Sequence, residues 1–455
     1  MIDDTLPLDL GDGLMLRAAT PADAAPLAAF NAALHANTPG ETDPTVGTWV
    51  EDLLLRPHPT FRPDLFTIVE DRATGAIVSS LNLIPQTWSY GGVEFGAGRV
   101  ELVGTDPGYR RRGLVRHQMA VAHRWSAAFG HLLQGITGIP WYYRQFGYEM
   151  ALTLGGRRCV PVASVPTPPD GAAEPYRLRP ATPDDLPFFA ATDAHGRSRS
   201  LVSCVRDAAL WRYELDGRSE TSDARLTLTV IETSGIAGGE PPQPLGFVIH
   251  ERRLLRNVLW VRACELAIGV SWLAVAPGLL RGLRAIGERY AAPYAGAGSD
   301  GGPRLEQIGL ELGDRHPLYD ALADRAPEGS RPYAWYIRIP DLSAFVRRIA
   351  PVLESRLATS PAAGHTGELR LNFYRDGLRL TFTEGRLTGS ASWPEASYDD
   401  GDASFPPLTF LQLLLGHRSL GELRHAFADC GARPGAGVLL NALFPPAPSF
   451  VWPVA

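Results

Sequence analysis

The segment LRAATPADAAPLAAF at 16–30 returns as LRPATPDDLPFFAAT at 178–192. Leu16, Arg17, Ala19, Thr20, Pro21 and Asp23 match Leu178, Arg179, Ala181, Thr182, Pro183 and Asp185, all at an offset of 162 residues. Each copy reads as a strand end, a threonine cap, a proline at the first helical position and an acid in the first turn. Six matches in eight positions predict a duplicated unit, which restricts the architecture more than any other feature of the chain.

Between the copies, VPVASVPTPPDGAAEPY (160–176) has the proline and small-residue content of a semi-rigid linker. YAGAGSDGGP (294–303) reads as a flexible loop inside the second copy, and ATSPAAGHTG (358–367) as another soft stretch. Beyond it, ELRLNFYRDGLRLTFTEGRLTGSAS alternates apolar and polar residues, with Asp376-Gly377 and Glu384-Gly385 where hairpin turns belong. A helical stretch at 407–416 ends in Gly416, so the last hundred residues read as a small α+β domain. The expected division is 1–160, 176–335 and 336–455.

A chain of 455 residues has room for several cores. Its net charge of −6 argues against bulk attraction to nucleic acid or anionic membranes. No stretch approaches the ~20 apolar residues of a spanning helix. The acidic start MIDDTLPLDL lacks a leader's apolar run, so a cytoplasmic protein is expected. Cys159, Cys204, Cys264 and Cys430 are too sparse for a disulfide framework and form no metal-type pair. His117, His123 and His131 share no metal spacing either, so no metal is expected.

Residues 98–105, GRVELVGT, have strand character, and Pro107-Gly108 breaks it. From Val115 an apolar stripe through Met119, Ala122 and Phe129 predicts an amphipathic helix. Arg110, Arg111, Arg112 and Gly113 therefore lie at a strand-to-helix junction. A helix N-terminus offers free N–H groups and partial positive charge, glycine permits close approach, and arginines add charge-assisted donors. The junction reads as a phosphate cradle, with a pyrophosphate as its natural guest.

Arg110-Arg111-Arg112-Gly113-Leu114-Val115 resembles the acetyl-CoA loop of the GNAT N-acetyltransferases, Arg-x-x-Gly-x-(Gly/Ala), with Val115 in place of the usual small residue. WYYRQFGYEM (141–150) resembles that family's aromatic signature, in which the first-turn tyrosine, here Tyr143, protonates the leaving thiolate of CoA. The layout as a whole is similar to the enhanced-intracellular-survival (Eis) acetyltransferases. The resemblance implies a mixed α/β and α+β fold: a catalytic GNAT domain over 1–160, a second, degenerate one over 176–335 and a sterol-carrier-protein-like domain over 336–455. It implies acetyl-CoA as cosubstrate, with Val103 and Thr105 pairing the pantetheine arm. Arg110, Arg111 and Gly113 would hold the pyrophosphate, with Arg112 and Leu114 beside them. It further implies an amine acceptor, small or a protein lysine, and a hexamer. In the second copy, the offset of 162 leads to WLAVAP at 272–277, with no Arg-x-x-Gly cluster, so one cofactor site is expected.

An amine must lose a proton to complete its attack on a thioester. Glu101 alternates onto the face of Val103 and Thr105. In Eis-type enzymes the base is instead the terminal carboxylate, here that of Ala455. The tail LLNALFPPAPSFVWPVA is apolar and proline-stiffened, with Phe450 and Trp452 as expected anchors. All 43 basic residues are arginine, which fits GC-rich coding and also an enzyme that avoids acylating itself. The alternative to catalysis is a non-catalytic acyl-CoA- or lipid-binding protein.

Overall fold

The computed structural model describes residues 5–36, 38, 40–168, 171, 173–235, 241–292, 302–330, 332–394 and 400–455. It falls into two units. One takes residues 1–152, 200–205 and 334–455, and the other takes 153–199 and 206–333. The loop expected at 294–303 lies outside the described residues except for its last two.

The chain opens with β1 (Leu8–Gly11), β2 (Leu14–Ala18), β3 (Phe66–Asp71), β4 (Ala76–Tyr90), β5 (Val93–Thr105), β6 (Leu133–Ile136) and β7 (Glu149–Leu154). Helices α1 (Ala24–Leu34), α2 (Pro44–Leu55) and α3 (Leu114–Ala128) interrupt them. Next come β8 (Arg157–Pro161), β9 (Tyr176–Pro180), β10 (Val202–Val205), β11 (Thr227–Thr233), β12 (Pro244–His250), β13 (Val258–Leu266), β14 (Gln307–Glu311) and β15 (Glu328–Ser330). Their helices include α4 (Leu186–Arg197), α5 (Ala208–Arg212) and α6 (Trp272–Ala291). The last strands are β16 (Tyr333–Arg338), β17 (Gly367–Asn372), β18 (Gly377–Thr383), β19 (Arg386–Ser392), β20 (Ala403–Ser404) and β21 (Gly431–Ala432).

The larger unit holds a sheet ordered β1-β2-β3-β4-β5-β6-β16-β7, with β10 also on β4, and a smaller sheet ordered β19-β18-β17-β20-β21. The other unit holds one sheet, β15-β8-β14-β13-β12-β11-β9. The two large sheets follow one path. β2-β3-β4-β5 is antiparallel and β6 joins β5 in parallel. β9-β11-β12-β13 is antiparallel and β14 joins β13 in parallel. A parallel return needs a crossover, which α3 and α6 supply. In each sheet the strand beside that return comes from elsewhere in the chain: β16 lies between β6 and β7, and β8 between β14 and β15. The proline-rich stretch read as a linker from 160 thus begins inside a paired strand, because Val160 and Pro161 complete β8.

The duplicated starts match down to their ion pairs. Thr20 and Asp23 form a capping box, and so do Thr182 and Asp185. Arg17 bridges Asp23 and Glu70, while Arg179 bridges Asp185 and Glu232. Glu232 stands 162 residues after Glu70, so the offset holds far beyond the quoted segments. The hydrogen bond from Arg179 pulls Asp185 down to about 2.

Three sequence expectations need correction. The buried face of α3 is Leu114, Gln118, Met119, Val121, Ala122 and Trp125. Val115 sits on the first turn and faces a cleft, while Phe129 caps the far end at 40% exposure. The tail is anchored by Val451 and Val454, both buried, and Phe450 and Trp452 are only partly covered. Its extended course explains this: the Leu201 amide donates to the Pro448 carbonyl and the Phe450 amide to that of Val202, so alternate side chains turn outward. Finally, the loop before α6 is Ala267–Ser271, shorter than its counterpart at 106–113, so 272–277 is already helix. The turn at Glu384-Gly385 is as expected, with φ of 50° and 80° joining β18 to β19.

Candidate active site

A cleft of about 900 Å³ is lined by the end of β5, the arginine loop, the first turn of α3 and residues 139–146. It exists because β5 leaves its neighbour. Among the described residues, β5 pairs with β6 only over Ala97–Arg99. Beyond that, Leu102 takes φ of 50° and the β4–β5 register shifts between Ser80 and Asn82. This is a β-bulge, which bends a strand and redirects its groups. Two serines of β4 hold the bent end: Ser80 Oγ donates to the Leu102 carbonyl (3.2 Å) and Ser79 Oγ to that of Gly104 (2.7 Å). The buried Gln118 of α3 backs Ser79 at 2.7 Å and reaches Thr67 at 3.1 Å. A Cβ added at Gly104 would lie 2.0 Å from Leu34 Cδ2, so the Leu34 side chain would have to move.

The arginine loop is stiff. Asp106 accepts from the Gly108 amide (2.7 Å), the Tyr109 hydroxyl donates to Asp71 (2.6 Å), and Arg110 Nε donates to the Thr105 carbonyl (3.3 Å). Arg111 and Gly113 both take positive φ, 65° and 77°. α3 then starts at Gly113 with no side-chain cap. Its first residues, Gly113 to Arg116, line the cleft, and a Cβ added at Gly113 would meet nothing within 4 Å, which suits the approach of an anion to a helix start. Val103, Thr105, Arg110, Arg111, Gly113 and Leu114 all line the cleft. Arg112 does not; its guanidinium lies over the Tyr109 ring at 5.0 Å.

Tyr143 belongs to a short 3-10 turn over Tyr142–Phe146, entered and left through positive φ at Trp141 and Gly147. Its ring is buried among Tyr142, Tyr336 and Tyr148, at centroid distances of 5.3, 5.5 and 6.4 Å. Tyr142 and Tyr109, not Tyr143, are the tyrosines on the cleft wall. Burial, and after it the charge of Glu101, hold the Tyr143 phenol well above its ordinary pKa, so it keeps its proton.

Glu101 pairs with Arg99 on the same strand. Arg99 also donates to the Val454 carbonyl at 2.8 Å, and Gln86 of β4 donates to that carbonyl at 2.7 Å. The chain end is thereby held on β4 and β5, one residue from Ala455, and its anchor is an ion-pair partner of Glu101. His35, just past α1, also lines the cleft. Sequence reading missed Arg99, Gln86, Ser79, Gln118 and His35. The first four act through contacts 25 to 368 residues apart, which no local pattern marks. His35 carried one usable signal, a histidine at the end of an apolar helix.

The corresponding stretch of the other unit carries different groups. Ser271 caps α6 through the Ala274 amide, and the loop Ala267–Ser271 contains no arginine. Glu265, at the end of β13, is bound by Arg199 at 2.5 Å and packs against Gly196, where an added Cβ would meet its carboxyl carbon at 2.3 Å.

Residues 33–151 match the family model described as an acetyltransferase (GNAT) domain. No curated protein matches the chain. Among solved structures, the chain resembles a GCN5-related N-acetyltransferase from Kribbella flavida at TM-score 0.62 and 17% identity, covering 100% of both chains. It resembles one from Anabaena variabilis at TM-score 0.63 and 15% identity, covering 96% of this chain and 99% of that one. It also resembles Eis1 from Mycobacterium abscessus at TM-score 0.59 and 14% identity, with 96% and 99% covered. At such identities these likenesses speak for the fold. Together with the matched domain, the splayed β5 and its arginine loop identify residues 33–151 as a GNAT acetyltransferase domain, and the chain is an acyltransferase.

Proposed function

We propose that the chain transfers acetyl from acetyl-CoA to a primary amine, borne by a small polyamine- or aminoglycoside-like molecule or by a protein lysine. One observation carries this: an uncapped helix start and three arginines, Arg110, Arg111 and Arg116, line the same cleft as the splayed end of β5. Arg110, Arg111, Gly113 and Leu114 are suited to a pyrophosphate, and Val103 and Thr105 to an extended amide-bearing arm. The finer architecture is part of the same proposal. The first copy is the catalytic GNAT domain, the second is a GNAT domain that lost its cofactor site, and the last segment is sterol-carrier-protein-like.

In the reaction, the amine nitrogen bonds to the acetyl carbon as the carbon–sulfur bond breaks. The proton shed by nitrogen passes to the Ala455 carboxylate, and the Tyr143 hydroxyl gives its proton to the departing sulfur. The buried Tyr143 phenol stays protonated, so its proton is in place when the carbon–sulfur bond breaks. The tail's attachment to Arg99 and Gln86 supports a fixed place for the chain end. The test is thiol release from acetyl-CoA against a panel of mono-, di- and polyamines. Amine-dependent release is expected; binding of acetyl-CoA without release under any amine would refute the proposal in favour of a non-catalytic binder. A lysine-free chain makes the protein-lysine arm simple to read, because acetyl-lysine can come only from the added protein.

A further inference from the structure

Trp141 opens the turn that carries Tyr143 at a φ of 64°, a conformation that a residue with a large side chain adopts at a cost. Such a residue stays there where its surroundings hold it. Two contacts contribute. The Trp141 amide donates to the Tyr336 hydroxyl, and that hydroxyl donates in turn to the Ile139 carbonyl at 3.4 Å. The Trp141 ring carries the Arg144 guanidinium at 4.5 Å, and Arg144 is bound to Glu149, buried on β7, at 2.7 Å. Tyr336 stands 195 residues after Trp141, on β16, the strand that lies between β6 and β7. It pairs with Ile136, the last residue of β6, and so sits where the chain leaves the sheet for the turn. Its side chain is fully buried, and its ring meets that of Tyr143 edge-on, with centroids 5.5 Å apart and planes at 68°.

One residue thus touches both the entry to the turn and the ring that the turn presents. A proton donor works only when its hydroxyl is aimed at the atom that receives the proton, and small misplacements are expensive in rate. We propose that Tyr336 is a positioning residue for the acid: its hydroxyl fixes the backbone entry into the turn, and its ring fixes the plane of Tyr143. This rests on the acetyl-transfer reading above, with Tyr143 as the proton donor. Tyr336 itself gives up no proton in the reaction, because its hydroxyl is engaged between two backbone groups. The consequence reaches beyond one side chain. Residues 33–151, the matched domain, lack the strand that holds their own acid, and β16 of the segment after residue 333 completes the site.

The experiment is a double-mutant cycle on the full chain: steady-state thiol release with a reactive diamine in wild type, Tyr336→Phe, Tyr143→Phe and the double variant, each with a thermal melt. Phenylalanine keeps the Tyr336 ring and removes only the bridge between residues 139 and 141. Tyr336→Phe should lower kcat about tenfold, with KM for acetyl-CoA and for the diamine within about threefold of wild type. In the Tyr143→Phe background the same change should lower kcat by less than about twofold, since no acid hydroxyl is left to aim. A merely structural residue would instead lower kcat by the same factor in both backgrounds. Equal factors, or a normal kcat in Tyr336→Phe or in Tyr143→Phe, overturn the assignment while wild-type turnover keeps the transfer reading intact. A wild type that releases no thiol with any amine overturns both.

Discussion

Arg99 binds the chain end, donating to the Val454 carbonyl at 2.8 Å while its guanidinium also pairs with Glu101. Two residues separated by 355 positions are thus joined through a guanidinium that also pairs with Glu101, whose charge acts on the buried Tyr143. The tail is held by a residue that also pairs with Glu101, so its removal changes the partners of that pair.

Loss of that anchor should resemble loss of the tail. Deleting Val454 and Ala455, or replacing Arg99 with Gln, should cut turnover by about 10²-fold while leaving acetyl-CoA binding within about threefold of wild type. Steady-state kinetics with a thermal melt as folding control checks this. Full activity in the deletion would transfer the proton-accepting role to Glu101 or to water.

The arginines of the loop should separate by direction. Arg110→Ala with Arg111→Ala should weaken acetyl-CoA binding by one to two orders of magnitude, since each charge-assisted bond contributes about 1.5–3 kcal/mol. Arg112→Ala should cost far less, because that side chain rests on Tyr109 outside the cleft. Calorimetric titration of the two variants decides it, and equal losses from Arg112 and from the pair would contradict the geometry.

Much of this was legible in the sequence because it is local. The strand–loop–helix junction and the two capping boxes are written within stretches of eight to fifteen residues, and the structure repeats both capping boxes with their arginine partners. The α3 stripe was misplaced because Val115, although apolar, points into the cleft from a first turn, where side chains serve the site before the core. What stayed hidden depends on distant partners: the Ser79–Gln118 support of the bulge, the places of β8 and β16, and the docking of Val454. Fixed offsets also mislead wherever a loop changes length, as between 106–113 and Ala267–Ser271.

The chemistry of the other unit predicts stoichiometry. With Glu265 and Arg199 paired there and no arginine in the preceding loop, each chain should bind a single acetyl-CoA. Titration of the full chain should give a ratio near one. Two sites of similar affinity would show that the other unit also binds the cofactor.

Tyr143 carries the central claim, and its neighbour Tyr142 is the natural control because it lines the cleft directly. The measurement is kcat for diamine acetylation in Tyr143→Phe and Tyr142→Phe, each with acetyl-CoA affinity measured alongside. Removing only the Tyr143 hydroxyl should lower kcat by about 10²–10⁴-fold with acetyl-CoA affinity near wild type, while Tyr142→Phe loses much less. A Tyr143→Phe enzyme of normal rate, or a larger loss in Tyr142→Phe, would contradict the assignment of Tyr143 as the acid.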